Sequence, residues 1–153
     1  MCDYSLMHVA SRPVRQAEKL VTQQFPGTTS RGLASPADAN TAVCVLPGTE
    51  MAFTNPVRLR SDRLLGSLLN IVKEAAGYAP GQYERVAKFV QINKHDDHTH
   101  HDALQFVDGN VVLLHHLQVG QEVTIVQLPA DPSTLDGHAR HEAEEAQRRA
   151  AFV

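Results

Sequence analysis

Between Ala103 and Leu117 the chain runs apolar, breaks on Asp108-Gly109-Asn110, and runs apolar again. A tight hairpin needs backbone angles that Asp and Gly tolerate, so this pattern predicts adjacent antiparallel strands over Ala103 to Val107 and Val111 to Leu117. Gly120 predicts a further turn into a strand over Glu122 to Leu128, with Val123 and Ile125 on one face and Thr124 and Val126 on the other. Upstream, Tyr83 to Ile92 reads as another strand, in which Val86, Val90 and Ile92 share a face. Successive strands of this kind predict a meander that closes into a small barrel or packs on a helix.

The first half is more broken. Tyr4 to Ala10 and Lys19 to Phe25 are strand candidates, set among loop signals at Arg12-Pro13, Pro26-Gly27 through Gly32, and Ser35-Pro36. Thr41 to Leu46 reads as a buried strand ending at Pro47-Gly48, with Glu50 to Thr54 returning antiparallel across that turn. Pro56 makes the continuation toward Leu59 an edge or a bend. From Ser61 or Asp62 as N-cap, Leu64, Leu65, Leu68, Leu69, Val72 and Ala76 recur at three- and four-residue steps, the face of a core-packed helix ended by Gly77. His138 to Ala151 is rich in helix formers and poor in large apolar side chains, which predicts an exposed terminal helix. The fold expected is therefore α+β: a β-rich antiparallel sheet or small barrel with one packed amphipathic helix. A single domain spans 1–132, including helix 61–77, and a charged helical tail spans 133–153.

A chain of 153 residues suits one domain, and no apolar run reaches membrane-spanning length. A net charge of −3 and 5% aromatic residues, with no basic stripe among them, argue against a nucleic-acid binder held by bulk charge or base stacking. Met1 to Leu6 has no basic segment leading an apolar one, and only two cysteines occur, Cys2 and Cys44. That combination predicts reduced thiols and a cytoplasmic protein. No phosphate-cradling glycine motif, Cys-x-x-Cys or Gly-x-Ser-x-Gly is present.

The chemistry is concentrated in Lys94-His95-Asp96-Asp97-His98-Thr99-His100-His101-Asp102, which places four histidines within seven residues. Imidazole is the commonest protein ligand for zinc and its neighbours, and a carboxylate can complete such a site. If the run is extended, Asp96, His98, His100 and Asp102 fall on one face, while His95, Asp97 and His101 take the other. Two histidines and two carboxylates then converge on one ion. The competing reading is a polar hairpin loop joining Ile92 to Ala103. His115 and His116 follow in an apolar run, and antiparallel pairing can bring one of them to the loop as a further ligand. His138 and His141 are three apart on the predicted tail and read as solvated residues.

Cys2 is a second candidate. Removal of Met1 would leave a thiol beside its own α-amine, the arrangement of N-terminal nucleophile enzymes, although Asp3 follows where those that begin Met-Cys-Gly carry glycine. His98-Thr99-His100 is similar to the paired metal ligands of cupin barrels, but Gln105 stands where a carboxylate is needed. The opening Met1-Cys2-Asp3-Tyr4-Ser5-Leu6, together with Gly32-Leu33-Ala34-Ser35 and Asp102-Ala103-Leu104-Gln105-Phe106, resembles a group of small uncharacterised bacterial proteins. That resemblance implies no catalytic residue. The group has an aromatic-Arg segment ahead of the Asp-Ala strand, where this chain has His100-His101.

The function expected is that of a small cytoplasmic binding or accessory protein. It would hold zinc or another divalent transition metal through His95, His98, His100 and His101 with Asp96 and Asp102. One alternative is an enzyme, metal-dependent through the same residues or thiol-based through Cys2. Another is a non-catalytic assembly subunit that meets a protein partner or a second copy through Val111 to Leu128 or through the tail, with no nucleic-acid or membrane partner.

Overall fold

The computed structural model describes residues 6, 8–60, 82–96 and 98–130. Its strands are β1 (Ser11–Pro13), β2 (Lys19–Gln24), β3 (Arg31–Ser35), β4 (Asp38–Cys44), β5 (Glu50–Phe53), β6 (Val57–Arg58), β7 (Gln82–Tyr83), β8 (Val86–Gln91), β9 (Asp102–Phe106), β10 (Val111–Leu113) and β11 (Glu122–Gln127). Nine of them form one sheet in the order β1-β4-β3-β2-β11-β5-β8-β9-β10, while β6 and β7 form a separate ribbon. Neighbours are antiparallel except β1, which runs parallel to β4. The Arg12 guanidinium on β1 bonds the Glu18 carboxylate and holds it below the usual carboxylate range.

Alternation decides which face is the core. Residues directly opposite each other in a ladder share a face, so burial propagates across the sheet in rows. Leu20 pairs with Val123 and Val123 with Phe53; Ile125 pairs with Met51, Met51 with Ala87 and Ala87 with Phe106. Phe89, Leu104 and Val112 make a third row. All of these side chains are buried in one cluster. On the other face, Leu6, Phe25, Ala34 and Ala42 form a smaller cluster. Gly32 lies on that face, where an added Cβ would stand 3.0 Å from Leu6 and 3.2 Å from Phe25.

The sheet curls back on itself. After β10 a single 3-10 turn, Leu114–His116, carries the chain across to β3. Leu117 bridges Leu59, flanked by hydrogen bonds from Gln118 N–H to Arg58 O and from Arg60 N–H to His116 O. The next turn is tied down by Thr22. Its hydroxyl donates to Gln118 O at 2.7 Å and accepts from Gln121 N–H at 2.8 Å.

Several expectations are corrected. The described residues are β-rich and carry no α-helix, so the α+β class with a packed helix gives way to a mixed nine-stranded sheet. The predicted helix 61–77 and tail 133–153 fall outside the described residues. Glu50–Phe53 does not return against β4; it lies between β11 and β8. The strand predicted to Leu117 stops at Leu113, because the 3-10 turn intervenes. In β8 the valine face is the outer one, with Val86 half-exposed, and Ala87 and Phe89 face the core. Arg31–Ser35, read as a loop because of its flanking Gly and Pro, is a fully integrated strand. The Asp108-Gly109 hairpin forms as predicted, with Gly109 at φ 85°. Cys44 is disulfide-bonded rather than a reduced thiol; Cys2 lies outside the described residues.

Candidate functional site

The core rows end in polar residues at one end of the curled sheet. Gln91 follows Ala87 and Phe89 on the inner face of β8, and its register partner Asp102 precedes Leu104 and Phe106 on β9. Asp102 is 7% exposed and accepts from the Gln91 carboxamide at 3.2 Å. Because β10 runs antiparallel to β9, the 3-10 turn leaves the sheet at this same end. Arg31 precedes Leu33 on the inner face of β3, at the other strand end by register, and the curl of the sheet lets its guanidinium donate to Leu117 O, next to the 3-10 turn.

The histidine run is a folded hairpin loop between β8 and β9, not an extended segment. Asp96 organises it. Its side chain accepts from His98 N–H at 3.0 Å, and its carbonyl accepts from the Thr99 N–H and hydroxyl. This is the turn that Asp forms when its carboxylate stands in for a backbone carbonyl. His95 and His98 are exposed, and Asp96 and Asp102 make local hydrogen bonds, so the run is not the extended segment expected to carry Asp96, His98, His100 and Asp102 on one face. Asp97 lies outside the described residues. Among the described residues, no three His, Cys, Asp or Glu side chains gather as a metal-holding group.

His101 closes the loop neck. Ile92 N–H donates to its carbonyl at 2.9 Å, and its Nδ1 lies 3.0 Å from Ile92 O. A carbonyl can only accept, so Nδ1 carries the proton and Nε2 holds the lone pair of the neutral ring.

His100 leaves the loop and meets the 3-10 turn. Its ring stacks on His115 with centroids 4.1 Å apart and planes inclined by 14°, while His116 lies 5.9 Å from His115. A metal sits in the plane of an imidazole, about 2.0–2.1 Å from its nitrogen. Near-parallel rings point their lone pairs side by side rather than at a common point. As it stands, the stack is therefore not a two-ligand metal seat.

The surroundings are cationic. Arg31 reaches the Leu117 carbonyl, and Arg60 donates its backbone N–H to His116 O, so both arginines approach the turn that carries His115. Burial, followed by the charges of His100, His116, Arg60 and Arg31, lowers His115 from an ordinary 6.5 to about 4. The ring is neutral near pH 7, and its buried Nδ1 has no hydrogen-bond partner. Of the residues singled out in the sequence, the structure unites His100 with His115 and His116. It leaves His95 and His98 at the surface, and it gives Asp96 and Asp102 local hydrogen-bonding roles. Arg31 and Arg60 had no sequence signal, since no local motif marks a cation brought in by a distant strand.

Compared with known proteins, the chain matches no protein-family profile, no curated protein and no solved structure. The site is therefore read from its own chemistry. Among the described residues, no helix is long and apolar enough to cross a membrane.

Proposed function

We propose that this is a binding protein whose site is the His100–His115–His116 cluster and whose ligand is a small oxyanion. The observation that carries the reading is the stacked pair lying beside two arginines. An anion placed there takes charge-assisted hydrogen bonds from guanidinium and imidazole N–H groups. It also offsets the neighbouring positive charges that, after burial, lower His115, so binding favours a proton on the stack. A divalent cation gains neither effect. The disulfide at Cys44 suits an oxidising compartment better than the cytoplasm expected from the N-terminal residues.

Transition-metal binding is a second reading, favoured by one observation: His101 is oriented by Nδ1–H to a carbonyl, as metal-bound imidazoles are. One experiment separates the two. Inorganic phosphate and, separately, Zn²⁺ are titrated into full-length protein while the imidazole signals are followed by NMR. Saturable phosphate shifts at His100, His115 and His116, lost in His115→Phe, are expected. Zn²⁺ shifts confined to His95, His98 and His101, with no response to phosphate, would replace the oxyanion reading with the metal one.

A further inference from the structure

We infer that the oxyanion cluster is one end of an elongated site, and that the ligand is a polyol bearing one acidic group. The acid lies at His100, His116 and Arg60, and the neutral body lies in the adjoining cleft. This inference rests on the oxyanion reading of the cluster.

The geometry comes from the short ladder of residues 58–60 against 116–118. The bonds from Arg60 N–H to His116 O and from Gln118 N–H to Arg58 O flank the bridge between Leu59 and Leu117. In such an antiparallel pairing Arg60 stands opposite His116, and Arg58 opposite Gln118. Leu117 is fully buried and Leu59 packs on the core, so both point inward. Arg58, Arg60 and Gln118 therefore share the opposite face, and His116, the last residue of the 3-10 turn, adjoins Arg60 through its carbonyl. Two residues along a strand separate the pairs by roughly 7 Å, a span that a small organic acid covers.

Beyond Arg58 and Gln118 this face opens into a cleft of about 470 Å³ lined by Asn55, Pro56, Arg58, Gln118, Gln121 and Glu122 among others. That volume lies within the range of small-molecule sites, about 300–1,000 Å³. The cleft has a fixed floor. The Gln121 carboxamide accepts from Arg58 N–H at 2.7 Å and donates to the carbonyls of Arg58 and Gln118, each at 2.9 Å. Asn55 and Gln118 are among the lining residues and carry amides that both donate and accept, and the Glu122 carboxylate accepts from hydroxyls, as it does from that of Thr54 at 3.5 Å. A second acidic group beside Glu122 would meet like charge, so the body in the cleft is neutral and hydroxyl-rich.

The test is calorimetry on the full chain with glucose 6-phosphate, gluconate, inorganic phosphate and glucose. At least one of the two acidic sugars is expected to bind about tenfold or more tighter than phosphate, and which one does so tells a phosphoryl from a carboxylate head. An Asn55→Ala, Arg58→Ala double variant should lose that advantage while keeping phosphate binding. Both side chains are exposed, and the hydrogen bonds to Gln121 use the Arg58 backbone, so the fold should persist; an unchanged Tm verifies it. Equal affinities for the sugars and phosphate, or an advantage that survives in the variant, overturn the elongated site alone. No binding of phosphate or of either acidic sugar overturns the oxyanion reading and this inference together.

Discussion

Two turns of this protein carry opposite amounts of sequence signal and of tertiary linkage. The loop from Asn93 to His101 is conspicuous in composition, yet its backbone bonds and those of the Asn93, Asp96 and Thr99 side chains stay within the loop and its neck. The turn from Gln118 to Gln121 has unremarkable composition apart from Gly120, at φ 89°. It is nevertheless tied to β2 by Thr22 and to β6 by Gln121. A run of chemically distinctive residues marks where ligands can be met. It does not mark where the fold is held.

The comparison breaks most readily at Thr22. Thr22→Val keeps the shape of a 1% exposed side chain but removes both the donor to Gln118 and the acceptor for Gln121. With each buried group left unpaired costing about 1–3 kcal/mol, denaturant melts should show a loss of roughly 2–4 kcal/mol. A loss below about 0.5 kcal/mol would mean that the turn is not held by this node.

A smaller effect, visible only with pH, is expected where the loop touches the turn. His115 titrates near 6.5 when unfolded and about 4 when folded, so the unfolded chain binds the proton more readily. That stability is fully present above the unfolded value and is lost as pH falls through the folded one. Melts between pH 7 and 4 should show a decline that flattens in His115→Asn; identical slopes would place the decline elsewhere. The smallest effect belongs to the loop crest. Because His95 and His98 are exposed, the His95→Ala, His98→Ala double variant should melt within about 0.5 kcal/mol of the parent. It should also bind phosphate as the parent does.

Much of the sheet is legible in the order of residues. Strands β2, β5, β8, β9 and β11 are legible as extended stretches between turn signals, β11 with its inner face as well, and the β9–β10 hairpin follows from Asp108-Gly109. β3 is hidden because Gly32 reads as a breaker, whereas its real reason is the close approach of Leu6 and Phe25. The pairing of β5 with β11 and β8 is equally hidden, since a turn at Pro47-Gly48 says where the chain bends and not which strand it meets. In the site, His100 and its reach toward His115 are readable as one outcome of antiparallel pairing. The loop geometry is not, because Asp96 folds the run into a turn by a local bond that competes with extension.

Residue order by itself determined most of the stretches that extend, the Asp108-Gly109 hairpin and where imidazoles are concentrated, for these depend on neighbours one to four positions apart. Only the tertiary structure decided that Arg31 and Arg60 stand with His100, His115 and His116, and that Thr22 holds a turn about a hundred residues away. Those juxtapositions come from the register and curl of a sheet whose strands are joined out of sequence order. Register is set by burial summed over whole rows, and no single segment carries that sum.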